Sequence, residues 1–529
     1  MSRMLTGSPI LMGDNTIPGV KIHKEVLAVV DEIFAACRAF GLDFYPTIVE
    51  FMTYDEISEL AAYGGFPVRY PHWRFGMEYE ELSRGYEYGM HRISEMVLNS
   101  SPCRLYCLDS NTLCDNVDVI AHALGHNDFF KNNVFFSATN TDMVNKMGNH
   151  GTRIRKYIAR WGKETVTTFI DHVLRLETLV DPMKAWKDRT IKEAFIRDER
   201  KYYEPNRVTH EHNYMDSWLN PIEKMQKQHE DIRKKEVSDY LDLFGSPEKD
   251  ILGYLKDNAP LKPWQQDIIS MLYEESLYFA PQRATKMANE GWASFVDYNI
   301  MCRMGLCSLG QKSDGSGIIE YAKHKMLVLG GKYSQNPYKT GYELLLDIED
   351  RWNKGRFGSE YENCVSMREK ENWDKKLGLG KEKVFEVRKH YNDALLIAEF
   401  FTEDFCHKNE YYEYQWTPKG EKVIVDRDYK SIKKKLLQKY TNGGLPDIRL
   451  VDPNHCGKGY MLLQHYFSGL PLYQPYLKDV LTSLWRIWQN KIVLATQEED
   501  EEVVWMCDGA SPYTNVIRLT RKLYEQEYI

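Results

Sequence analysis

His122 and His126 stand four residues apart in the segment Asp118-Val-Ile-Ala-His-Ala-Leu-Gly-His-Asn-Asp-Phe-Phe. On a helix that spacing puts both imidazoles on one face, one turn apart, where they can share a metal ion. It is the first half of the zinc-hydrolase signature, in which a glutamate follows the first histidine as general base. Ala123 holds that place here. With 15 histidines in 529 residues, chance supplies roughly 0.4 such pairs, so the spacing needs a third ligand before it means much.

Glu290, in Lys286-Met-Ala-Asn-Glu-Gly-Trp-Ala-Ser, is the strongest candidate. Zinc hydrolases with a glutamate ligand take it from a downstream helix in an Asn-Glu-x-x-Ala/Ser setting. Two neutral imidazoles and one carboxylate leave a position open for water, as a catalytic ion requires. Asp297 lies two helical turns beyond Glu290 and is placed to bind metal or to orient a ligand. Glu275 is the candidate base in place of the absent glutamate, and His72, beside Trp73, is a candidate substrate contact. The competing reading is structural: two buried histidines hydrogen-bonded to carboxylates within a helical core.

The elements that must position these groups are mostly helices. Apolar residues recur at helical spacing over His23–Ala39, Glu78–Leu98, Asp115–Phe130, Met143–Trp161, Lys163–Leu179, Pro263–Phe279 and Pro281–Met304. Strand-like runs are scarce in this half, Cys103–Leu108 being the best candidate. Residues 1–23 form a lead-in, and 24–405 a mainly helical domain with an insertion at about 181–248. From residue 410 to 529 the pattern becomes β-α-β-β-α-β-β, which predicts a small α+β module of ferredoxin-like type.

Composition sets the class. A hydrophobic content of 43% marks a globular chain, and a net charge of -8 argues against a nucleic-acid binder. No run is long enough for a membrane span, and no secretory leader is evident. The 10 cysteines form no Cys-x-x-Cys pair, which predicts reduced thiols and a cytoplasmic protein.

Ordered segments along nearly the whole chain resemble the SpoVR family, named for stage V sporulation protein R. They include Phe40-Gly-Leu-Asp-Phe-Tyr-Pro, His72-Trp-Arg-Phe-Gly, Asp109-Ser-Asn, His122-Ala-Leu-Gly-His-Asn-Asp-Phe-Phe-Lys-Asn-Asn and Pro263-Trp-Gln-Gln-Asp-Ile. Glu274-Glu-Ser-Leu-Tyr-Phe, Asn289-Glu-Gly-Trp-Ala-Ser, Asn336-Pro-Tyr, Phe385-Glu-Val-Arg and Asn442-Gly-Gly follow. The resemblance implies a role in spore cortex formation in spore formers, and association with a PrkA-type serine kinase in relatives that do not sporulate. It also implies a histidine at the position of Asp297. A carboxylate there would favour harder ions.

Taken together, these features predict a mainly α, zincin-like domain with a small C-terminal α+β domain. The expected activity is metal-dependent hydrolysis of a peptide or peptidoglycan-related amide bond. The ion would be divalent, zinc being the first expectation, held by His122, His126 and Glu290 with Asp297. A non-catalytic regulator acting with the kinase is the alternative, favoured by Ala123.

Overall fold

The computed structural model describes residues 10–11, 21–87, 93–181, 183–184, 247–308, 316–331, 336–417, 422–498, 501–509 and 515–528. Most of the lead-in and nearly all of the 181–248 insertion therefore lie outside the described residues. No described helix is long and apolar enough to cross a membrane. The 10 cysteines are unbridged.

In chain order the first elements are β1 (Ile10–Leu11), α1 (Lys21–Phe40), β2 (Thr47–Met52), α2 (Tyr54–Ala62) and α3 (Trp73–Glu87). Next come β3 (Glu95–Leu98), β4 (Cys103–Leu108), α4 (Leu113–Asn132), α5 (Met143–Trp161) and α6 (Lys163–Leu174). After the insertion follow α7 (Ile251–Asn258), α8 (Pro263–Ala284), α9 (Lys286–Tyr298), α10 (Ser316–Leu329), α11 (Pro337–Lys354), α12 (Gly380–His390) and α13 (Asp393–Phe400). Leaving aside the short helices Gly358–Glu362, Met367–Glu371 and Glu403–Lys408, there follow β5 (Glu413–Trp416), β6 (Lys422–Asp426), α14 (Tyr429–Tyr440), β7 (Ile448–His455), β8 (Tyr460–His465), α15 (Gln474–Trp488), β9 (Ile492–Glu498), β10 (Glu501–Asp508), β11 (Asn515–Thr520) and α16 (Arg521–Tyr528).

The chain divides into two compact units, one of residues 1–167 and 278–445, the other of residues 168–277 and 446–529. The first is built around α4. Thr112 and Asp115 form a reciprocal capping box at its start. From Cys114 to Phe130 almost every residue is buried, polar ones included, so α4 is a central helix enclosed on all sides rather than an amphipathic surface helix. A sheet of order β1-β2-β4-β3 adjoins it, with β3 antiparallel to β4 and the other pairs parallel. Only β4 matches a strand expected from sequence; β3 falls inside the helix predicted over Glu78–Leu98.

Two segments quoted above meet at the end of α4. Asn127 accepts from the Tyr45 amide (3.0 Å) and donates to the Tyr45 carbonyl (3.0 Å) and the Thr47 hydroxyl (2.9 Å). Asp128 accepts from the Asp43 amide (2.7 Å) and pairs with Arg388 of α12 (3.0 Å). Gly41, at a φ of +105°, supplies the left-handed turn that brings Asp43 and Tyr45 back to α4.

Close helix crossings set the position of α9. A Cβ on Gly125 of α4 would stand 2.9 Å from the Ala293 Cα. One on Gly341 of α11 would stand 2.2 Å from the Met287 carbonyl oxygen. Gly291 and Gly341 thus let two backbones touch, which any side chain would prevent. Pro281, which suits either the first turn of a helix or a kink, lies within α8; the break comes at Thr285, whose hydroxyl bonds the Pro281 carbonyl (2.7 Å). The amides of Met287 and Ala288 then donate to Asp393 (2.9 and 2.8 Å), capping α9 from a distant segment.

The second unit holds a five-stranded sheet of order β11-β10-β9-β8-β7, antiparallel except where α15 crosses over between parallel β8 and β9. This is not the ferredoxin-like arrangement expected. The predicted first strand and helix of that module, now β6 and α14, belong to the other unit. There, among the described residues, β6 pairs only with β5, and Ile432, Leu436 and Tyr440 of α14 join the core cluster around α4. The boundary between the two compact units falls after residue 445. The architecture is mainly helical with a small C-terminal sheet.

Candidate metal centre

His122 and His126 lie buried in the middle of α4, 7% and 8% exposed. Their ring centroids are 4.8 Å apart. Each ring is held at its Nδ1. His122 Nδ1 lies 2.9 Å from Asp297 Oδ2, and His126 Nδ1 lies 2.9 Å from Asn289 Oδ1. An ionised carboxylate only accepts, so His122 donates from Nδ1, and in the neutral ring Nε2 then carries the lone pair. Stacking fixes the planes: Tyr338 of α11 lies over His122 and Phe130 over His126.

Both Nε2 atoms converge on Glu290 of α9, whose Oε2 is 3.2 Å from His126 and 3.7 Å from His122. Glu95 of β3 arrives from another side, its Oε1 3.6 Å from His122 Nε2. Donor atoms of Glu95, His122 and His126 all fall within 4.8 Å of one another. Glu95 Oε2 and Glu290 Oε2 are buried without a hydrogen bond of good geometry. Buried carboxylate oxygens left so, opposite imidazole lone pairs, are the donor set a divalent cation satisfies.

Electrostatics separate the two glutamates. Burial pushes Glu95 above the usual carboxylate range against the pull of the histidines. Burial pushes Glu290 the same way, but His126 and His122 outweigh it and hold Glu290 well below that range. His122 is the counterpart. Burial disfavours its charge, yet Glu95, Asp297 and Glu290 together raise it well above the ordinary histidine value.

Asp297 stands on the outer side of His122. Its Oδ1 accepts from Tyr321 (2.9 Å) and pairs with Lys325 of α10, so both its oxygens are engaged away from Nε2. Asp297 thus meets His122 at its outer nitrogen, the side from which a carboxylate orients an imidazole ring. Asp118, one turn before His122, repeats the theme by pairing with His324 Nδ1 (2.6 Å).

The other expected residues are His72 and Glu275. His72 packs among Tyr70, Trp73 and Phe75, and its Nδ1 accepts from the Arg74 amide (3.3 Å), the packed arrangement of an aromatic cluster. Glu275 is buried on α8, in the residues of the second unit. Asn289 and Tyr338 were visible in the Asn-Glu-Gly-Trp and Asn-Pro-Tyr segments without a role attached. Glu95 carried no sequence signal, because a four-residue edge strand has no motif or period to mark one of its carboxylates.

A family model described as "SpoVR like protein" matches residues 21–445. The chain is similar to an uncharacterised protein of Escherichia coli K12, YcgB, with 25% identity over 502 residues, covering 89% of this chain and 92% of the relative. No solved structure matches the chain.

Proposed function

The chain belongs to the SpoVR family, and from that premise we propose that it is a divalent-metal protein whose centre hydrolyses an amide bond of a peptide or peptidoglycan-related substrate. The observation that carries the proposal is the convergence of His122 Nε2, His126 Nε2 and Glu290 Oε2, with both Nδ1 atoms occupied by Asp297 and Asn289. Neighbours on the outer nitrogen are what metal-ligating histidines use to fix tautomer and ring orientation. A bound divalent ion would supply Lewis acidity toward the carbonyl and a water of lowered pKa. The chain's part is to hold the donors in place, to keep both Nε2 lone pairs inward and to neutralise the ion with carboxylates.

One observation favours a second reading, a regulator working with a PrkA-type kinase. Ala123, where the hydrolase signature carries its base, is 1% exposed and packed in the apolar core, so no base acts from that position.

Elemental analysis of the purified full-length protein, followed by incubation with cross-linked peptidoglycan stem peptides, tests the proposal. We expect one divalent ion per chain, lost in His126→Ala, and amide cleavage that stops on chelation. Absence of stoichiometric metal with unchanged stability in chelator would overturn it. Stoichiometric metal with no cleavage would favour the regulator.

A further inference from the structure

We propose that Glu95 is a fourth protein ligand, so that the centre is a two-histidine, two-carboxylate site; this rests on the metal reading above. In a tetrahedral site with bonds near 2.1 Å, neighbouring donors stand about 3.4 Å apart. Three of the six donor pairs lie at 3.2 Å (His126–Glu290), 3.7 Å (His122–Glu290) and 3.6 Å (His122–Glu95), and the donor atoms of Glu95, His122 and His126 all fall within 4.8 Å of one another. Glu95 is thus as close to His122 Nε2 as Glu290 is. A general base would stand outside this ring of donors, at the water rather than at a ligand nitrogen.

Charge points the same way. Two ionised carboxylates and two neutral imidazoles cancel a divalent ion, leaving a neutral cluster, which is the form that burial tolerates. Either carboxylate alone would leave net positive charge among Tyr338, Phe130 and the core of α4.

The consequence is a choice of ion. Four protein donors fill a tetrahedron, so water or substrate enters only if the ion accepts a fifth or sixth donor. Mixed imidazole and carboxylate ligation suits manganese(II) and iron(II) in that way as well as zinc. The centre is thereby distinguished from the three-ligand zinc site that the histidine spacing suggests.

Cobalt(II) reports coordination directly. Full-length wild-type chain loaded with cobalt(II) should give the weak visible absorption of a five- or six-coordinate ion. Glu95→Gln keeps the side-chain shape but removes the anionic donor, so it should bind cobalt(II) at least about tenfold more weakly and with an altered spectrum. Glu95→Asp, with a retracted carboxylate, should fall between, and circular dichroism would verify that both variants are folded. A folded Glu95→Gln chain with wild-type affinity and spectrum overturns this assignment while leaving the metal reading intact. A wild-type chain that takes up no ion overturns the metal reading itself.

Discussion

His122 Nδ1 lies 2.9 Å from Asp297 Oδ2, and the same carboxylate's other oxygen pairs with Lys325. The first histidine of the pair is therefore tied through one aspartate to a partly buried lysine on a separate helix. Asp297→Asn would keep the shape of this link but remove its charge, leaving Lys325 without its counter-ion. We expect metal affinity to fall by about 10–100-fold, read by competition with a chelator of known affinity. Unchanged affinity would mean that Asp297 only packs against the ring.

The crossing of α9 and α11 has no slack. Gly341→Ala would drive a methyl group into the Met287 carbonyl, 2.2 Å from the ideal Cβ position. Because the obstacle is backbone, relief requires moving a helix that carries Asn289 and Glu290. The expected cost is about 3 kcal/mol or more, measurable by denaturant unfolding, and metal uptake should weaken with it. A cost below about 1 kcal/mol would show that the crossing relaxes freely.

Arg388 and Asp128 form a buried pair at 3.0 Å, the carboxylate side chain being 0% exposed. Arg388→Ala leaves that charge with the Asp43 amide as its remaining strong partner. Breaking such a pair typically costs about 3–5 kcal/mol. The double variant Asp128→Asn with Arg388→Met should recover much of the loss, since it removes both charges from the interior. If the double variant is no better than Arg388→Ala, the uncompensated charge is not the cause.

Asp393 provides a pH signature. Burial, opposed by the Met287 and Ala288 amides, pushes its carboxyl up to about 7. Unfolded, it titrates near 3.9 (about). Between those values the folded chain holds more protons than the unfolded one, so stability falls as pH rises from about 4 to about 7, by at most about 4 kcal/mol. Asp393→Asn should flatten the curve over that window in chemical denaturation at stepped pH. An identical slope in the variant would rule out Asp393 as its source. Glu290, whose lowered carboxyl makes stability rise with pH, and His122, whose raised value makes stability fall as pH rises, as at Asp393, are present in both chains.

Much of the centre was legible in the linear sequence because helical spacing is geometry. Residues four apart share a face wherever the helix lies, so His122 and His126 had to be neighbours. Glu290 could be named from its local setting, and the structure brings it to both histidines. The ends of elements were less legible. Pro281 marked either a helix start or a kink, and the chain breaks at Thr285, where a side-chain bond and the distant Asp393 decide the matter. The C-terminal module was misread because β6 and α14 have ordinary strand and helix patterns, and pattern does not say which core they join.

By itself, the sequence determined the family, the mainly helical class and the facing histidine pair, all of which depend on residue type and short-range period. Only the tertiary structure decided that Glu95 stands beside His122, that Asp297 grips the outer nitrogen rather than the inner one, and that Asn289 holds the second ring. Glu95 reaches the site from an edge strand and Asp297 pairs with a lysine on another helix. Such contacts are set by strand pairing and by glycine-thin helix crossings, and no spacing along the chain encodes them.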